Sequence, residues 1–289
     1  METKIKDYDG KIMKFSVITI ASKNRVKQVE NLLSSISYSI LIPFEVILVW
    51  IGESTTIKKP YNLKVIEHVV DNKEGKMLYA GPRNKGFELS SSDRVIFLDA
   101  DCICSPTLFD SLLLDVNDST IISGKPRFLT MVPTHANYGQ LTSQAVKHPK
   151  RELVPVDTNV SHNYFWSMVF AITRNAFNGI GRFDEDFKGY GGEDSDFAER
   201  FSKKNYNLKF VDDFVLHQYH DKFDPPLHQI ESICLNANLF YKKHGEHTML
   251  KWISVFEDMG YVRLEGTNYT VVRLPDIKTI EEHRSTKPF

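Results

Sequence analysis

Two carboxylates stand one residue apart, directly after an apolar run, in Arg94-Val-Ile-Phe-Leu-Asp-Ala-Asp101. The run predicts a buried strand, and such a strand delivers its last side chains to the sheet edge where open α/β folds bind ligands. Side chains at i and i+2 of a strand share a face, so Asp99 and Asp101 should point the same way. Paired carboxylates suit a hard divalent cation that keeps open positions for phosphates.

A second acidic cluster follows a hundred residues later, in Gly191-Gly-Glu-Asp-Ser-Asp196. The two glycines permit a tight turn, after which Glu193 and Asp194 are crowded together. Crowding raises the affinity of one carboxylate for a proton, which helps a general base work near neutral pH. A helix N-terminus at the same place would have the opposite effect, because it stabilises the ionised form. The sequence leaves open which effect is larger.

Histidines complete a mixed set of ligands, because a later strand ends in His217-Gln-Tyr-His220. Carboxylates with an imidazole suit manganese, and magnesium less well, whereas zinc more often recruits thiolates or several histidines. We therefore predict that Asp99, Asp101 and His217 or His220 hold the metal.

The elements that must position these groups alternate between short apolar runs and helical patterns, which is typical of βαβ units and a parallel sheet. Strands are predicted at 15–20, 44–51, 63–70 and 95–98, with a helix from Met77 to Leu89 before the last of them. The segment 128–163 is polar and irregular, which in a compact domain is typical of a functional or mobile stretch. Beyond it we predict a strand at 166–173, a helix at 194–203, a strand pair at 208–218, helices at 226–243 and 250–257, and a β ribbon at 261–274.

Composition narrows the class of protein. The chain has 289 residues, 42% of them hydrophobic and 25% charged, and its net charge of −1 argues against nucleic acid as a partner. The polar start excludes a signal peptide, and no apolar run is long enough for a membrane helix. Three cysteines without a C-x-x-C pair argue against disulfides and a zinc site. We predict a cytoplasmic protein, and peripheral attachment at the inner face of the cell membrane stays open.

These motifs resemble those of the GT-A fold glycosyltransferases, family-two type, with a C-terminal half similar to galactosyltransferases and N-acetylgalactosaminyltransferases. The resemblance covers residues 14 to 222. Four segments carry it: Ser16 to Arg25 is similar to the opening strand and nucleotide-binding turn, Ala80 to Gly86 to the Ala-x-x-Arg-Asn-x-Gly element, Phe97 to Asp101 to the Asp-x-Asp motif, and Phe183 to Asp196 to the segment ending in Trp/Tyr-Gly-Gly-Glu-Asp.

The resemblance implies an α/β fold of GT-A type, a Rossmann-like nucleotide-binding mixed sheet flanked by helices, with a C-terminal helical and β-ribbon extension. Residues 1–222 would form the catalytic domain, with a nucleotide-sugar and metal half at 14–125 and an acceptor and catalytic half at 126–222. Residues 223–289 would form the extension, packed on the same domain.

The resemblance also implies roles for single residues. Asp194 would be the catalytic base and Glu193 would hold donor or acceptor hydroxyls, while His217 resembles the late histidine that completes the metal shell. The residues expected to bind the nucleotide sugar are Ala21, Ser22, Asn24, Arg25, Glu53, Arg83, Asn84, Asp99, Ala100, Asp101, Tyr190, Gly191 and Gly192.

One turn departs from the family pattern. Relatives carry an Asp-Asp-Gly-Ser type turn after the second strand, where this chain has Trp50-Ile-Gly-Glu-Ser54. Either Glu53 substitutes for the missing acid or Trp50 stacks on the base. The identity of the nucleotide is therefore less well determined than the phosphate chemistry.

The implied function is a metal-dependent inverting glycosyltransferase that uses Mn²⁺ or Mg²⁺. It would move galactose, N-acetylgalactosamine or N-acetylglucosamine from a UDP-sugar to a hydroxyl of a glycan or lipid-linked glycan, in surface polysaccharide synthesis. An alternative is a non-catalytic module that binds sugar nucleotides or glycans. The altered turn is its only support, and the intact Asp99, Asp101, Glu193 and Asp194 argue against it. A nucleotidyltransferase would need a glycine-rich basic loop after the first strand, and Ala21-Ser-Lys-Asn-Arg25 is not one.

Overall fold

The structure is a computed structural model that describes residues 14–72, 75 and 78–289. Met77, where the second helix was predicted to begin, lies outside the described residues, and that helix runs over Ala80–Leu89.

The strands are β1 Phe15–Ala21, β2 Glu45–Ile51, β3 Val65–Val70, β4 Arg94–Leu98, β5 Cys102–Ile103, β6 Thr120–Phe128, β7 Val146–Lys147, β8 Val169–Thr173, β9 Asn207–His217, β10 Lys222–Phe223, β11 Val262–Glu265, β12 Asn268–Val271 and β13 Arg284–Ser285. The α-helices are α1 Val26–Ser37, α2 Ala80–Leu89, α3 Leu108–Leu114, α4 Tyr138–Thr142, α5 Arg174–Ile180, α6 Glu193–Lys203, α7 Ile230–His244, α8 Leu250–Asp258 and α9 Ile277–Glu282.

The main sheet is mixed. Within the described residues it has nine strands in the order β3-β2-β1-β4-β8-β6-β9-β5, with β7 paired to β6. The strands β3, β2, β1 and β4 are mutually parallel, as the βαβ pattern predicted, whereas β8 is antiparallel to both β4 and β6. The predicted mixed sheet flanked by helices is therefore confirmed.

Both faces of the sheet are covered by apolar helix faces. On one face, Val29, Leu32, Leu33 and Ile36 of α1 are buried together with Leu108 and Leu112 of α3. On the other face, Phe87 of α2, Phe177 of α5 and Phe197 of α6 form an aromatic cluster. Since parallel strands are covered on both faces, β1 is buried along its whole length and β2 is buried up to Trp50.

A third apolar cluster joins α7, α8 and the β11–β12 hairpin, and Tyr190 from the Gly-Gly loop packs against it. The helices and the ribbon predicted for this region are present. The predicted domain division at residue 222 stays a prediction.

Two predictions about strands were wrong. Residues 207–217 form one strand, not a strand pair. The nine-residue strand β6 was missed, because Gly124 and Pro126 within it argue against a strand interior. The pairing of β6 with β9 is irregular between Ser123 and Lys125, so the glycine lies where the ladder shifts.

Candidate active site

The carboxyl ends of β1 and β4 form the floor of the candidate site. These strands are parallel neighbours, so the turn after β1 and the residues after β4 meet at one edge of the sheet. Ser22 and Asn24 lie in that turn, with a hydrogen bond from the Ser22 hydroxyl to the Asn24 side chain. Arg25 is close enough to Asp101 to favour its ionised form.

Helix α2 is held unusually close to β1. A Cβ atom at Gly86 would lie 2.4 Å from Cγ2 of Ile18, so only glycine fits there without a shift. This close approach places Arg83, one turn earlier on α2, beside the end of β4.

Arg83 joins the two acidic motifs. One guanidinium nitrogen lies 3.2 Å from Oδ1 of Asp99 and another lies 3.1 Å from Oε1 of Glu193. Only 6% of the Arg83 side chain is exposed, so both contacts are screened little by water. Motifs separated by almost a hundred residues therefore converge on one buried guanidinium.

Asp101, His217 and His220 form a second group, with one ligand atom from each lying within 4.8 Å of the others. The short strand β5 pairs with β9, opposing Cys102 to His217. Nε2 of His217 lies 3.4 Å from Oδ1 of Asp101, and Nε2 of His220 lies 3.7 Å from Oδ2. Both predicted histidines thus adjoin Asp101.

This group fits a divalent cation. Burial lowers the pKa of His217, so its imidazole is neutral at pH 7 and can offer a lone pair. Although burial opposes it, the two histidines keep the pKa of Asp101 below its ordinary value. One carboxylate and two imidazoles suit manganese better than magnesium. Asp99 is not part of this group, since its carboxylate accepts from Arg83.

A buried amide holds the histidine strand in place. The backbone N–H of Gln218 donates to the carbonyl of Asp101 at 2.7 Å, and its side chain accepts from Asn31 and donates to the carbonyl of Gln28. Gln218 is fully buried, so these bonds fix its position between the two histidines.

The Gly-Gly loop starts helix α6. Gly191 and Gly192 have φ of 84° and 95°, which favours glycine, and Glu193 and Asp194 follow in the first turn. Burial, and then the charge of Asp194, raise the pKa of Glu193 to about 7. Burial also raises the pKa of Asp194, although Arg83 and Arg151 oppose it. The effect of burial therefore exceeds that of the helix N-terminus.

Helices α7 and α8 hold the Gly-Gly loop in place through hydrogen bonds and a ring contact. The side-chain amide of Asn236 on α7 donates to the carbonyls of Lys188 at 3.0 Å and Gly191 at 2.7 Å, and the Ser232 hydroxyl accepts from the Tyr190 N–H. The Tyr190 ring lies 5.5 Å from Trp252 of α8. The Gly-Gly loop, whose residues were predicted to bind the nucleotide sugar, is thus held by residues outside the motifs.

Asp196, the third acid of the cluster, has a structural role. It is fully buried, and its carboxylate contacts Arg200 at 2.7 Å, Lys243 at 2.9 Å and His244 at 2.8 Å. Lys243 and His244 end α7, so this network fastens α7 to α6.

Replacement of Asp196 by Asn should lower the free energy of unfolding by about 3 kcal/mol, because it leaves buried cations without their counter-charge. Urea unfolding measures this. The matched control is Glu282→Gln, which breaks the exposed pair with Lys278 and should leave the midpoint unchanged. Equal unfolding midpoints for the two variants would show that the buried network does not stabilise the fold.

Arg151, in the irregular middle segment, approaches Asp194 from a different element than Arg83. Its guanidinium lies 3.3 Å from the centroid of the Trp166 ring and donates to the carbonyl of Tyr164. Burial lowers the pKa of Arg151 to about 10, and Asp194 acts against this lowering. The middle segment therefore supplies a cation to the surroundings of the candidate base.

The structure places the remaining predicted residues as follows. Ala21 ends β1 and is buried, as is Ala100 between the two aspartates. Glu53 is exposed and pairs with Lys23 at 2.7 Å, so the turns after β1 and β2 meet. The Asn84 side chain donates to the carbonyl of Phe183 at 2.9 Å and to Glu185 at 2.8 Å. It therefore ties α2 to the segment before the Gly-Gly loop.

The suggestion that Trp50 stacks on a nucleotide base was wrong. Its ring is fully buried in the core and its Nε1 donates to Glu67. A ring with no exposed face cannot receive a ligand.

Sequence reasoning missed Asn236, Ser232 and Arg151. For Asn236 a signal was present, because a polar residue with poor helix propensity interrupts the apolar face of α7. Its 3% exposure identifies it as a buried polar group that must have partners.

A larger cavity of about 430 Å³ lies elsewhere, between α3 and β9. Its lining includes Asp115, Asp212 and Asp213, which would repel a diphosphate. We therefore assign the chemistry to the convergent groups and not to this cavity.

The profile of the family described as glycosyltransferase like family 2 matches residues 16–225. No curated protein matches the sequence. None of the helices in the described part of the chain has the length and apolar character needed to cross a lipid bilayer.

Solved glycosyltransferase structures share the fold. S. aureus TarS matches with a TM-score of 0.53 and 18% identity over 79% of this chain and 40% of that one. The 1–349 portion of S. aureus TarS matches with a TM-score of 0.52 and 16% identity, over 79% of this chain and 66% of that one. GalNAc-T7, crystallised with UDP, GalNAc and Mn²⁺, matches with a TM-score of 0.49 and 14% identity, over 72% of this chain and 44% of that one.

The chain thus spans two thirds or less of the length of each of these solved structures. The likeness to TarS shows the fold, which is the GT-A fold, and the family profile covers most of the chain. The chain therefore belongs to glycosyltransferase-like family 2.

Proposed function

We propose that this protein is a metal-dependent inverting glycosyltransferase that moves a hexose or N-acetylhexosamine from a UDP-sugar to a glycan hydroxyl. The observation that carries the proposal is the buried Arg83, which contacts Asp99 after β4 and Glu193 before the candidate base. A site for the donor phosphates and a site for the acceptor hydroxyl therefore lie side by side.

Asp194 is the general base of this proposal. Its carboxylate accepts the proton of the acceptor hydroxyl as that oxygen bonds to the anomeric carbon. The bond from the anomeric carbon to the diphosphate breaks on the opposite face, so the configuration inverts. One Asp194 oxygen already accepts from the N–H of Ser195 at 2.8 Å, which fixes the carboxylate's orientation.

Asp101, His217 and His220 would hold the cation. When bound, it supplies positive charge that offsets the charge developing on the leaving diphosphate. Arg83 contributes a fixed positive charge of the protein beside the same edge, and Arg25 lies close to Asp101. These residues orient the donor before the reaction.

The pH dependence of the reaction should reveal the raised pKa of the base. Asp194 acts only when it is ionised, and burial raises its pKa. As the pH decreases, kcat/KM should therefore begin to fall at a higher pH than the ordinary aspartate pKa of about 3.9 would give. Glu193, with a pKa of about 7, titrates with it. A profile of UDP-sugar hydrolysis from pH 4 to 9 measures this, and a midpoint at the ordinary aspartate pKa would contradict it.

Metal-dependent release of UDP tests the function itself. A panel of UDP-galactose, UDP-N-acetylgalactosamine and UDP-N-acetylglucosamine is incubated with the protein and manganese, and thermal shifts identify the sugar that binds. Slow hydrolysis of the bound donor that stops with EDTA supports an enzyme. Binding without any hydrolysis would instead favour a non-catalytic module.

The finer parts of the proposal rest on the motif resemblance. These are the UDP carrier, a glycan or lipid-linked glycan acceptor, surface polysaccharide synthesis and a place at the inner face of the cell membrane.

A further inference from the structure

The last residues of the sequence lie beside the candidate metal group. Strand β13 pairs antiparallel with β10, with Ser285 opposite Lys222 and Arg284 opposite Phe223. The N–H of Asp224 also donates to the carbonyl of His283 at 3.0 Å. Residues 283–289, called the strap below, are thus attached to the chain directly after His220.

The end of the strap reaches over the metal group. Pro288 lines a cavity of about 160 Å³ together with His217 and His220. The ring of Phe289 lies 5.6 Å from that of Phe128, which itself lies 5.2 Å from the ring of His217. The strap therefore forms one wall of the space beside the candidate ligands.

Phe289 also reaches the other side of the site. Its ring lies 4.9 Å from that of His148, which lies 5.6 Å from Trp166. The Trp166 ring stacks against the guanidinium of Arg151, which is the second cation that favours the ionised form of Asp194. A continuous row of rings thus runs from the metal group to the surroundings of the base, and Phe289 is in the middle of it.

The space between the strap and the two histidines is small. Pockets that bury small organic ligands measure roughly 300–1,000 Å³. The cavity beside His217 and His220 has about half the lower value. Pro288 therefore fills part of the space beside His217 and His220, where a donor diphosphate held by the same cation would lie.

The contacts that hold the strap are weak. The ladder between β10 and β13 has two residues on each side, and such a short isolated pair has little stability alone. Arg284 pairs with Asp221 at 3.0 Å, but both side chains are largely exposed, at 42% and 67%. Exposed pairs of this kind contribute little, so the strap can be released without disturbing the core.

We infer that the strap is a movable wall of the donor site, and that Pro288 and Phe289 leave it before a nucleoside diphosphate enters. The inference rests on the proposed function. Because the protein binds the donor only while the strap is open, the closed fraction lowers the apparent affinity and slows association.

Association of UDP in the presence of manganese tests the inference by surface plasmon resonance. The variants are Phe289→Ala and a chain that lacks residues 287–289, and the control is Ile277→Ala, an exposed apolar residue on α9. Both strap variants should bind UDP at least threefold faster than wild type, and the control should not. Association that is equal or slower in the strap variants would overturn the inference.

Hydrogen exchange on the unaltered protein gives a second readout. Addition of UDP and manganese should speed exchange in residues 283–289, because the strap is displaced; slower exchange there would mean that the strap closes over the ligand and would overturn the inference. Failure of the proposed function looks different, since UDP would then bind neither wild type nor the strap variants.

Discussion

Replacement of Asp194 by Asn is expected to lower the rate of sugar transfer by at least about 100-fold. The affinity for UDP with manganese should stay within about twofold of wild type. The amide keeps the size of the side chain but cannot take a proton from the acceptor hydroxyl. Arg83 keeps its contacts with Asp99 and Glu193, so the donor side of the site is unchanged.

The measurement pairs single-turnover transfer with calorimetric titration of UDP. Asp186→Asn is the matched control, because Asp186 is an exposed carboxylate in the segment before the Gly-Gly loop. The control should retain full activity. Loss of UDP affinity by Asp194→Asn in a folded protein would show that Asp194 holds the donor and is not the base.

A role for Glu193 as the base is less consistent with the geometry. Glu193 is buried and its carboxylate contacts Arg83, whereas Asp194 is partly exposed. A group that receives a proton from a substrate must be reachable by that substrate. Glu193 is better placed to bind hydroxyls and to connect the two acidic motifs through Arg83.

The convergence of the acidic motifs could be predicted because each lies at the end of a regular element. Asp99 follows a buried strand, and Glu193 begins a helix after a glycine turn. The ends of such elements are fixed by local sequence, and parallel strands align their carboxyl ends at one edge. The position of Gly86 could be predicted too, because the spacing of the Ala-x-x-Arg-Asn-x-Gly element places it about one helical turn after Arg83.

The groups that support the site could not be predicted in the same way. Asn236 is 45 residues from the Gly191 carbonyl that it binds, and its partner is a backbone atom, which no side-chain pattern marks. The strap contacts the metal group through a two-residue ladder, which is too short to give a period. Such contacts depend on tertiary packing alone.

The error at Trp50 was avoidable. The run Glu45–Trp50 is buried without alternation, as is typical of a central parallel strand covered on both faces. A side chain within such a run faces the core and not a ligand. Of the two alternatives for the altered turn, Glu53, which is exposed and pairs with Lys23, stays a prediction.

Replacement of Asp101 by Ala is expected to weaken manganese binding by more than about 100-fold, since loss of groups that merely orient a ligand already costs 10–100-fold. Asp101 supplies the carboxylate of the three-residue group, and no other carboxylate among the described residues belongs to it. The fold should persist, because Gln218 bonds to the backbone carbonyl of Asp101 and not to its side chain.

Titration of manganese by calorimetry and electron paramagnetic resonance measures this without reference to activity. Asp212→Ala is the matched control, because Asp212 is an exposed carboxylate on β9, the strand that carries His217. His217→Ala should weaken binding like Asp101→Ala, since its imidazole is the nearer one to Asp101. Undiminished manganese affinity in Asp101→Ala would show that the group of Asp101, His217 and His220 does not hold the cation.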